Sequence, residues 1–123
     1  TYFSVVSETH SGAHNCNKQF FPTEKIYKAI INCHPFVILS TQNFLHNLKE
    51  QGYKTFGPFI NEEYDQEPDA YKRMNLAIDQ VEHLVKNGVP VDMFDLAIYN
   101  YANLRSRVET HLKVVKGIFN ELI

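Results

Sequence analysis

Apolar residues recur along the chain with two different periods. Residues 36–39 form a short continuous apolar run between Pro35 and Ser40, and residues 2–7 form a strand-like run that includes Ser4 and Ser7. Such runs are typical of buried strands in parallel sheets. A third run at residues 53–56, followed by glycine and proline, has the same character. The pattern therefore predicts a small parallel sheet of three strands.

Helical spacing of apolar residues alternates with these runs. Thr23 is a preferred N-cap residue, and Pro35 prevents the helix that Thr23 opens from continuing beyond about residue 33. Ser40 and Thr41 are suitable caps for a second helix, and Gly52 is a suitable end for it because glycine readily adopts a left-handed conformation. We therefore expect one helix before and one helix after the second strand.

The remainder of the chain predicts two long helices. Residues 68–87 form an amphipathic pattern that Gly88 ends, and a second apolar stripe follows from 93 to 122. A single helix over the second stripe would span about 45 Å at about 1.5 Å per residue, which exceeds the face of a small domain. We expect it either to kink near residues 100–103 or to project apolar surface toward a partner.

These elements indicate the α/β class: a small parallel three-stranded Rossmann-like sheet with flanking helices and a C-terminal pair of long helices. Residues 1–67 would form the core, and residues 68–123 the helices that pack on that core or on a partner. With 123 residues, 44% of them hydrophobic, the chain is large enough for one domain. Because the sequence begins at Thr1 without a methionine, we expect a fragment or a processed product.

Charge and composition narrow the classes of partner. A formal net charge of −2, without a cluster of lysine and arginine, argues against a nucleic-acid surface. The sequence has no apolar run of about twenty residues that would span a membrane. Cys16 and Cys33 form no disulfide framework, so a reducing cytoplasmic location is the default, although one bridge between them is compatible with the sequence.

The first turn of the predicted first helix carries candidate chemistry. Glu24 suits a helix N-terminus, whereas a lysine there is disfavoured by roughly 0.3–1 kcal/mol unless an anion lies nearby. Lys25 is therefore either solvated surface or a contact for a phosphate. Lys28 follows Glu24 by four residues, which predicts an ordinary ion pair on the helix surface.

Four segments of the sequence carry a family resemblance. They are Phe-Phe-Pro-Thr-Glu-Lys-Ile-Tyr-Lys-Ala-Ile at 20–30, Pro-Phe-Val-Ile-Leu at 35–39, Leu-Lys-Glu-Gln-Gly-Tyr-Lys-Thr-Phe at 48–56 and Glu-Glu-Tyr-Asp at 62–65. Together they resemble the donor-binding half of GT-B-type glycosyltransferases, closest to uncharacterised glycosyltransferase-like proteins of large viruses, phages and marine microbes. They are more distantly similar to the α1,3-fucosyltransferases, whose donor motif has the form Tyr-Ile-Thr-Glu-Lys-Leu.

The resemblance implies that the chain binds a nucleoside diphosphate sugar, linked to GDP or UDP, without a further cofactor. It places Glu24 on the nucleotide ribose and Lys25 on the diphosphate. Glu8 and Thr23 would lie beside them, since ligands bind at the carboxyl ends of parallel strands. Thr41 either reaches the ligand or caps a helix. The catalytic base and the acceptor site would lie in a missing N-terminal domain, so we do not expect this chain alone to transfer a sugar.

Two polar segments allow further interpretations. Residues 9–22 form a long loop in which His10, His14 and Lys18 are candidate ligand contacts. The histidines match no strong zinc spacing, so we expect a polar loop rather than a metal site. The acidic segment 61–67 predicts a solvated loop leading into the next helix, because its spacing is not that of a calcium loop.

A second functional class stays open beside the glycosyltransferase interpretation. The chain is alternatively a non-catalytic nucleotide-binding or assembly module that forms a homodimer through its C-terminal helices.

Overall fold

The computed structural model describes residues 3–8 and 22–122. The elements in chain order are strand β1 (Ser4–Ser7), helix α1 (Glu24–Ile31), strand β2 (Phe36–Leu39), helix α2 (Phe44–Glu50), a short 3₁₀ helix (Glu63–Gln66), helix α3 (Ala70–Asn87) and helix α4 (Met93–Leu122). The predicted positions of the first two strands and of all four helices are confirmed, but no strand forms at residues 53–56, where a third was predicted between α2 and α3. No helix in these two ranges combines the length and the apolar character that a membrane span requires.

The sheet of the described chain has two strands, and the prediction of a three-stranded Rossmann-like sheet is wrong. β1 and β2 are parallel, with Ser4 opposite Phe36 and Ser7 opposite Leu39. The third predicted strand, at residues 53–56, forms no ladder with either of them. The fold is α/β only in a loose sense, since most of the described residues are helical.

Side chains satisfy the backbone of residues 53–56 in place of a neighbouring strand. The Lys54 N–H donates to Asn100 Oδ1 at 2.7 Å, and Asn100 Nδ2 donates to the Lys54 carbonyl at 2.8 Å. The Phe56 N–H donates to the Glu62 carboxylate at 3.0 Å. Because buried backbone groups need partners of some kind, these side chains remove the need for a third strand.

The hydrophobic core lies between the sheet and the helices. Phe36 of β2 meets Phe56 edge to face, with ring centroids 4.9 Å apart, and neither ring is more than 1% exposed. Ile26 and Ile30 bring the buried face of α1 to this core. α3 packs against β2, and α1 contacts α4. The C-terminal helices therefore pack partly on the sheet-containing unit.

α4 is one unbroken helix of 30 residues, so the predicted kink at residues 100–103 does not form. Asn100 is buried and bonds Lys54, while Asn103 Nδ2 donates to the Gln51 carbonyl at 3.2 Å. The two asparagines attach α4 to the turn after α2 instead of interrupting the helix. From residue 105 to residue 122 every side chain is exposed, which realises the alternative prediction of projecting apolar surface.

α2 begins later than the sequence suggests and has a different cap. Asn43 is its N-cap residue, with a φ of 67° and no capping bond from its side chain. The Asp65 carboxylate accepts from the N–H groups of Leu45 at 2.8 Å and His46 at 3.1 Å. The expectation that Ser40 and Thr41 cap this helix is therefore wrong. Gly52 does adopt the predicted left-handed conformation after it, with a φ of 91°.

Candidate functional site

The N-terminus of α1 receives a buried carboxylate from the end of β1. Glu8 is only 2% exposed, and its carboxylate accepts from the Thr23 N–H at 3.2 Å and from the Ile26 N–H at 3.1 Å. The Thr23 hydroxyl also donates to Glu8. The negative charge lies where the helix dipole and the free amides favour an anion. Glu8 thus fixes the start of α1 to the end of β1.

Thr23 is the N-cap residue of α1, as predicted, with its hydroxyl oxygen accepting from the Lys25 N–H at 3.2 Å. Together, Thr23 and Glu8 use the amides of Lys25 and Ile26. A phosphate bound here would therefore meet side chains rather than these two amides. The carboxylate of Glu8 therefore occupies part of the anion site that the sequence predicts at the N-terminus of α1.

A groove of about 420 Å³ runs between β1 and the outer face of α1. Its lining consists of Ser4, Val5, Val6, Ser7, Lys25, Lys28, Ala29, Asn32 and His34. Ser4 Oγ and His34 Nδ1 are hydrogen-bonded at 2.8 Å across one wall. Among the described residues, two lysines and no carboxylate line this groove, so its chemistry favours an anionic ligand with apolar and hydroxyl-bearing parts.

Lys28 is the functional candidate that the sequence interpretation missed. The predicted ion pair between Glu24 and Lys28 is absent: the ion pairs of the described residues are His46–Glu50 and Arg105–Glu109. Lys25 and Lys28 are three residues apart, so they share one face of the helix and both line the groove. The three-residue spacing of Lys25 and Lys28 is the sequence signal for two cations on one helix face. The four-residue spacing of Glu24 and Lys28 predicted an ion pair instead.

The structure brings some of the predicted site residues together. Glu8 and Thr23 are in contact, and Glu24 and Lys25 follow them as the exposed first two residues of α1. Thr41 is buried just beyond the end of β2, next to the point where the Glu8 N–H donates to the Leu39 carbonyl at 3.0 Å. The three loop candidates lie outside the described residues; they are His10, His14 and Lys18.

A buried guanidinium lies beside the end of β2. Arg73 of α3 is 3% exposed, and its Nε donates to the Ser40 carbonyl at 2.8 Å. Its Nη1 donates to the carbonyls of Glu67 at 2.7 Å and Pro68 at 3.3 Å. Burial lowers the pKa of Arg73, while the charges of Asp65 and two nearby acids oppose that shift. Arg73 thus connects α3 to both the strand end and the segment before the helix.

Two carboxylates of the acidic segment are structural, which contradicts the predicted solvated loop. Glu62 accepts from the Thr55 hydroxyl at 2.7 Å and from the Phe56 N–H, and Asp65 caps α2. Burial raises the pKa of both carboxyl groups, although the hydrogen bonds to each of them act in the opposite direction. These acids organise the backbone between α2 and α3.

We expect the free energy of unfolding of Glu62→Gln to rise relative to that of the unsubstituted protein as the pH increases above about 4.5, the ordinary pKa of this carboxyl group. Because burial raises the pKa of Glu62 in the folded state, the folded protein binds the proton more tightly than the unfolded chain, and ionisation costs stability. The Gln oxygen can accept from Phe56, and its amide can donate to the Thr55 hydroxyl. Urea unfolding of both proteins from pH 4 to pH 7 measures the difference, and a constant difference would contradict the prediction.

Within residues 3–8 and 22–122, no cluster of three or more His, Cys, Asp or Glu side chains is arranged to hold a metal ion. The fold and site define a small α/β unit with a cationic groove beside its first helix. No protein-family model, curated protein or solved structure matches the chain. The resemblance to glycosyltransferases therefore stays a prediction from the sequence segments themselves.

Proposed function

We propose that the chain is the nucleotide-sugar-binding part of a glycosyltransferase that transfers a sugar from a nucleoside diphosphate to an acceptor. The observation that carries this proposal is the groove between β1 and α1, whose lining in the described part of the chain includes Lys25 and Lys28 but no carboxylate. A nucleoside diphosphate combines two phosphates with an apolar base and sugar hydroxyls, and the groove offers ammonium, hydroxyl and valine surfaces to match.

The roles of individual residues follow from their positions. Lys25 binds the diphosphate and offsets the negative charge that builds up on this leaving group during transfer. Lys28 provides a second ammonium one turn further along α1. The family resemblance assigns the ribose hydroxyls to Glu24, which is exposed at the start of the helix, beside Lys25 but outside the lining of the groove. Glu8 and Thr23 position the first turn of α1 and do not have to contact the ligand themselves.

Titration calorimetry with GDP, UDP and their sugar conjugates tests the proposal. We expect one nucleotide to bind and Lys25→Ala to weaken that binding about tenfold, equivalent to about 1.4 kcal/mol. Lys28→Ala should weaken the same interaction. Lys113→Ala is the matched control, because Lys113 is equally a helical surface lysine but lies on the projecting part of α4.

The absence of binding for every nucleotide at millimolar concentration would refute the donor-site proposal for this chain. Equal weakening by Lys25→Ala and Lys113→Ala would also contradict it, since binding would then reflect overall charge rather than the groove. Circular dichroism of each variant verifies that the helices are retained.

The exposed part of α4 favours a second candidate function, a non-catalytic assembly module. Residues 105–122 include several large apolar residues that are 46–80% exposed. A helix of this kind gains little from its own propensity and most from packing against another surface. Self-association in sedimentation experiments, together with no nucleotide binding in the titrations, would favour this candidate over the donor-binding one.

A further inference from the structure

The projecting half of α4 carries a continuous apolar stripe. We define the α4 stripe as Val108, Leu112, Val115, Phe119 and Leu122, whose side chains are 46–80% exposed. The last hydrogen bond from this region to the rest of the described chain is donated by Arg107 Nη1 to the Gln51 carbonyl at 3.0 Å. The stripe therefore has no covering element within the described residues.

Residues of the α4 stripe follow each other at alternating intervals of four and three. This average of about 3.5 residues is the heptad period that keeps one seam of a helix facing another helix along a left-handed coiled coil. Three residues before Val108 the seam reaches Arg105, a charged residue, so the apolar stripe begins at Val108. Over these two heptads the spacing suits a helical partner, and the charges that flank the stripe select which one.

We propose that the α4 stripe pairs with the same stripe of a second copy, with the two helices antiparallel. In this arrangement Val108 lies opposite Phe119 of the second copy, and Leu112 lies opposite Val115. Each of these two pairs places a larger side chain against a valine. The inference does not depend on the donor-site proposal, because the stripe and the groove involve different residues.

Charges beside the seam select this orientation. Glu109 and Lys116 both follow a residue of the stripe directly, and in the antiparallel arrangement Glu109 of each copy faces Lys116 of the other. The symmetry of the pair makes this contact twice. In a parallel arrangement His111 would face Lys116 and Leu104 would face Glu109, which brings no opposite charges together. Flanking charges therefore favour an antiparallel second copy over a parallel one.

Sedimentation equilibrium of the chain from micromolar to millimolar concentration tests the pairing. We expect a monomer–dimer equilibrium that Leu112→Asp weakens by about tenfold or more. Val114→Asp is the matched control: Val114 is 56% exposed and lies two residues away, but off the seam. A chain that stays monomeric, as when the stripe binds a different protein, overturns the proposal, and so does equal weakening by the two substitutions.

A charge exchange tests the orientation independently. Glu109→Lys and Lys116→Glu should each weaken the dimer, because each places like charges opposite one another. The double variant restores opposite charges between the copies and should recover most of the affinity, although it still lacks the Arg105–Glu109 pair within each helix. A double variant as weak as the two single variants would overturn the antiparallel assignment. All these side chains are exposed in the described chain, so the substitutions leave the packed core intact.

Discussion

Glu8→Ala is expected to lower the free energy of unfolding by about 3 kcal/mol, since charged hydrogen bonds to buried groups contribute about 1.5–3 kcal/mol each and their loss is only partly offset. The variant removes the acceptor for the N–H groups of Thr23 and Ile26 and for the Thr23 hydroxyl. It also removes a negative charge from the positive end of α1. Urea unfolding followed by circular dichroism measures the loss.

Two further variants separate the role of the Glu8 carboxylate from that of acidic charge in general. Glu24→Ala removes an exposed acid in the same first turn and should cost less than about 1 kcal/mol. Glu8→Gln retains an oxygen for the two amides and should lie between Glu8→Ala and the unsubstituted protein. If Glu8→Ala costs no more than Glu24→Ala, the carboxylate does not hold β1 and α1 together.

Local patterns were sufficient to predict most of the regular elements. Thr23 and Pro35 delimit α1, which spans Glu24–Ile31 in the structure. The apolar run 36–39 is the buried parallel strand β2. Gly88 ends α3 as expected. In each case the responsible residues act on backbone within a few positions of themselves, so a local pattern is enough to reveal their effect.

The third strand could not be predicted correctly because its outcome depends on distant side chains. Residues 53–56 have strand-like composition, but Asn100 supplies both a donor and an acceptor to Lys54 from 46 positions further along the chain. The Phe56 N–H donates a hydrogen bond to the Glu62 carboxylate. A segment with its backbone groups satisfied in this way has no need of a ladder, and no propensity scale contains that information.

The candidate site was predicted only in part for the same reason. Lys25 was identified from its unusual place in a first helical turn, and it does line a groove. The burial of Glu8 against α1 was not foreseen, because it brings residues 15 or more positions apart into contact. The composition of the acidic segment predicts that Glu62 and Asp65 are solvated. In the structure Glu62 accepts from the Phe56 N–H and Asp65 accepts from the Leu45 N–H.

Arg73 illustrates how a charged residue can take a core position on an amphipathic helix. It lies four residues before Ala77 on the buried face of α3, where periodicity alone would place an apolar side chain. Its long side chain reaches the Ser40 carbonyl on one side and two carbonyls before α3 on the other. A lysine has no planar fork of donors to make these contacts together.

Arg73→Met is expected to destabilise the protein by about 3 kcal/mol, because three carbonyl groups lose a charged donor and buried unpaired groups cost about 1–3 kcal/mol each. The apolar side chain removes the cost of burying a charge, which offsets part of the loss. Lys72→Ala, at the neighbouring exposed position, should change the stability far less. Unfolding in urea compares the two variants with the unsubstituted protein.

Arg73→Met could also stabilise the protein, because one nitrogen of the Arg73 guanidinium makes no hydrogen bond within the described residues. Its Nη2 atom and the neighbouring Ser40 Oγ are buried without a hydrogen-bond partner in the described chain. If the cost of burying the charge with Nη2 unpaired exceeded the gain from the three carbonyl contacts, Arg73→Met would stabilise the protein. Guanidinium bonds to carbonyls are charge-assisted and short, at 2.7–2.8 Å for two of the three, so we expect the contacts to dominate. Stabilisation by Arg73→Met would show instead that the fold tolerates this arginine at a net cost.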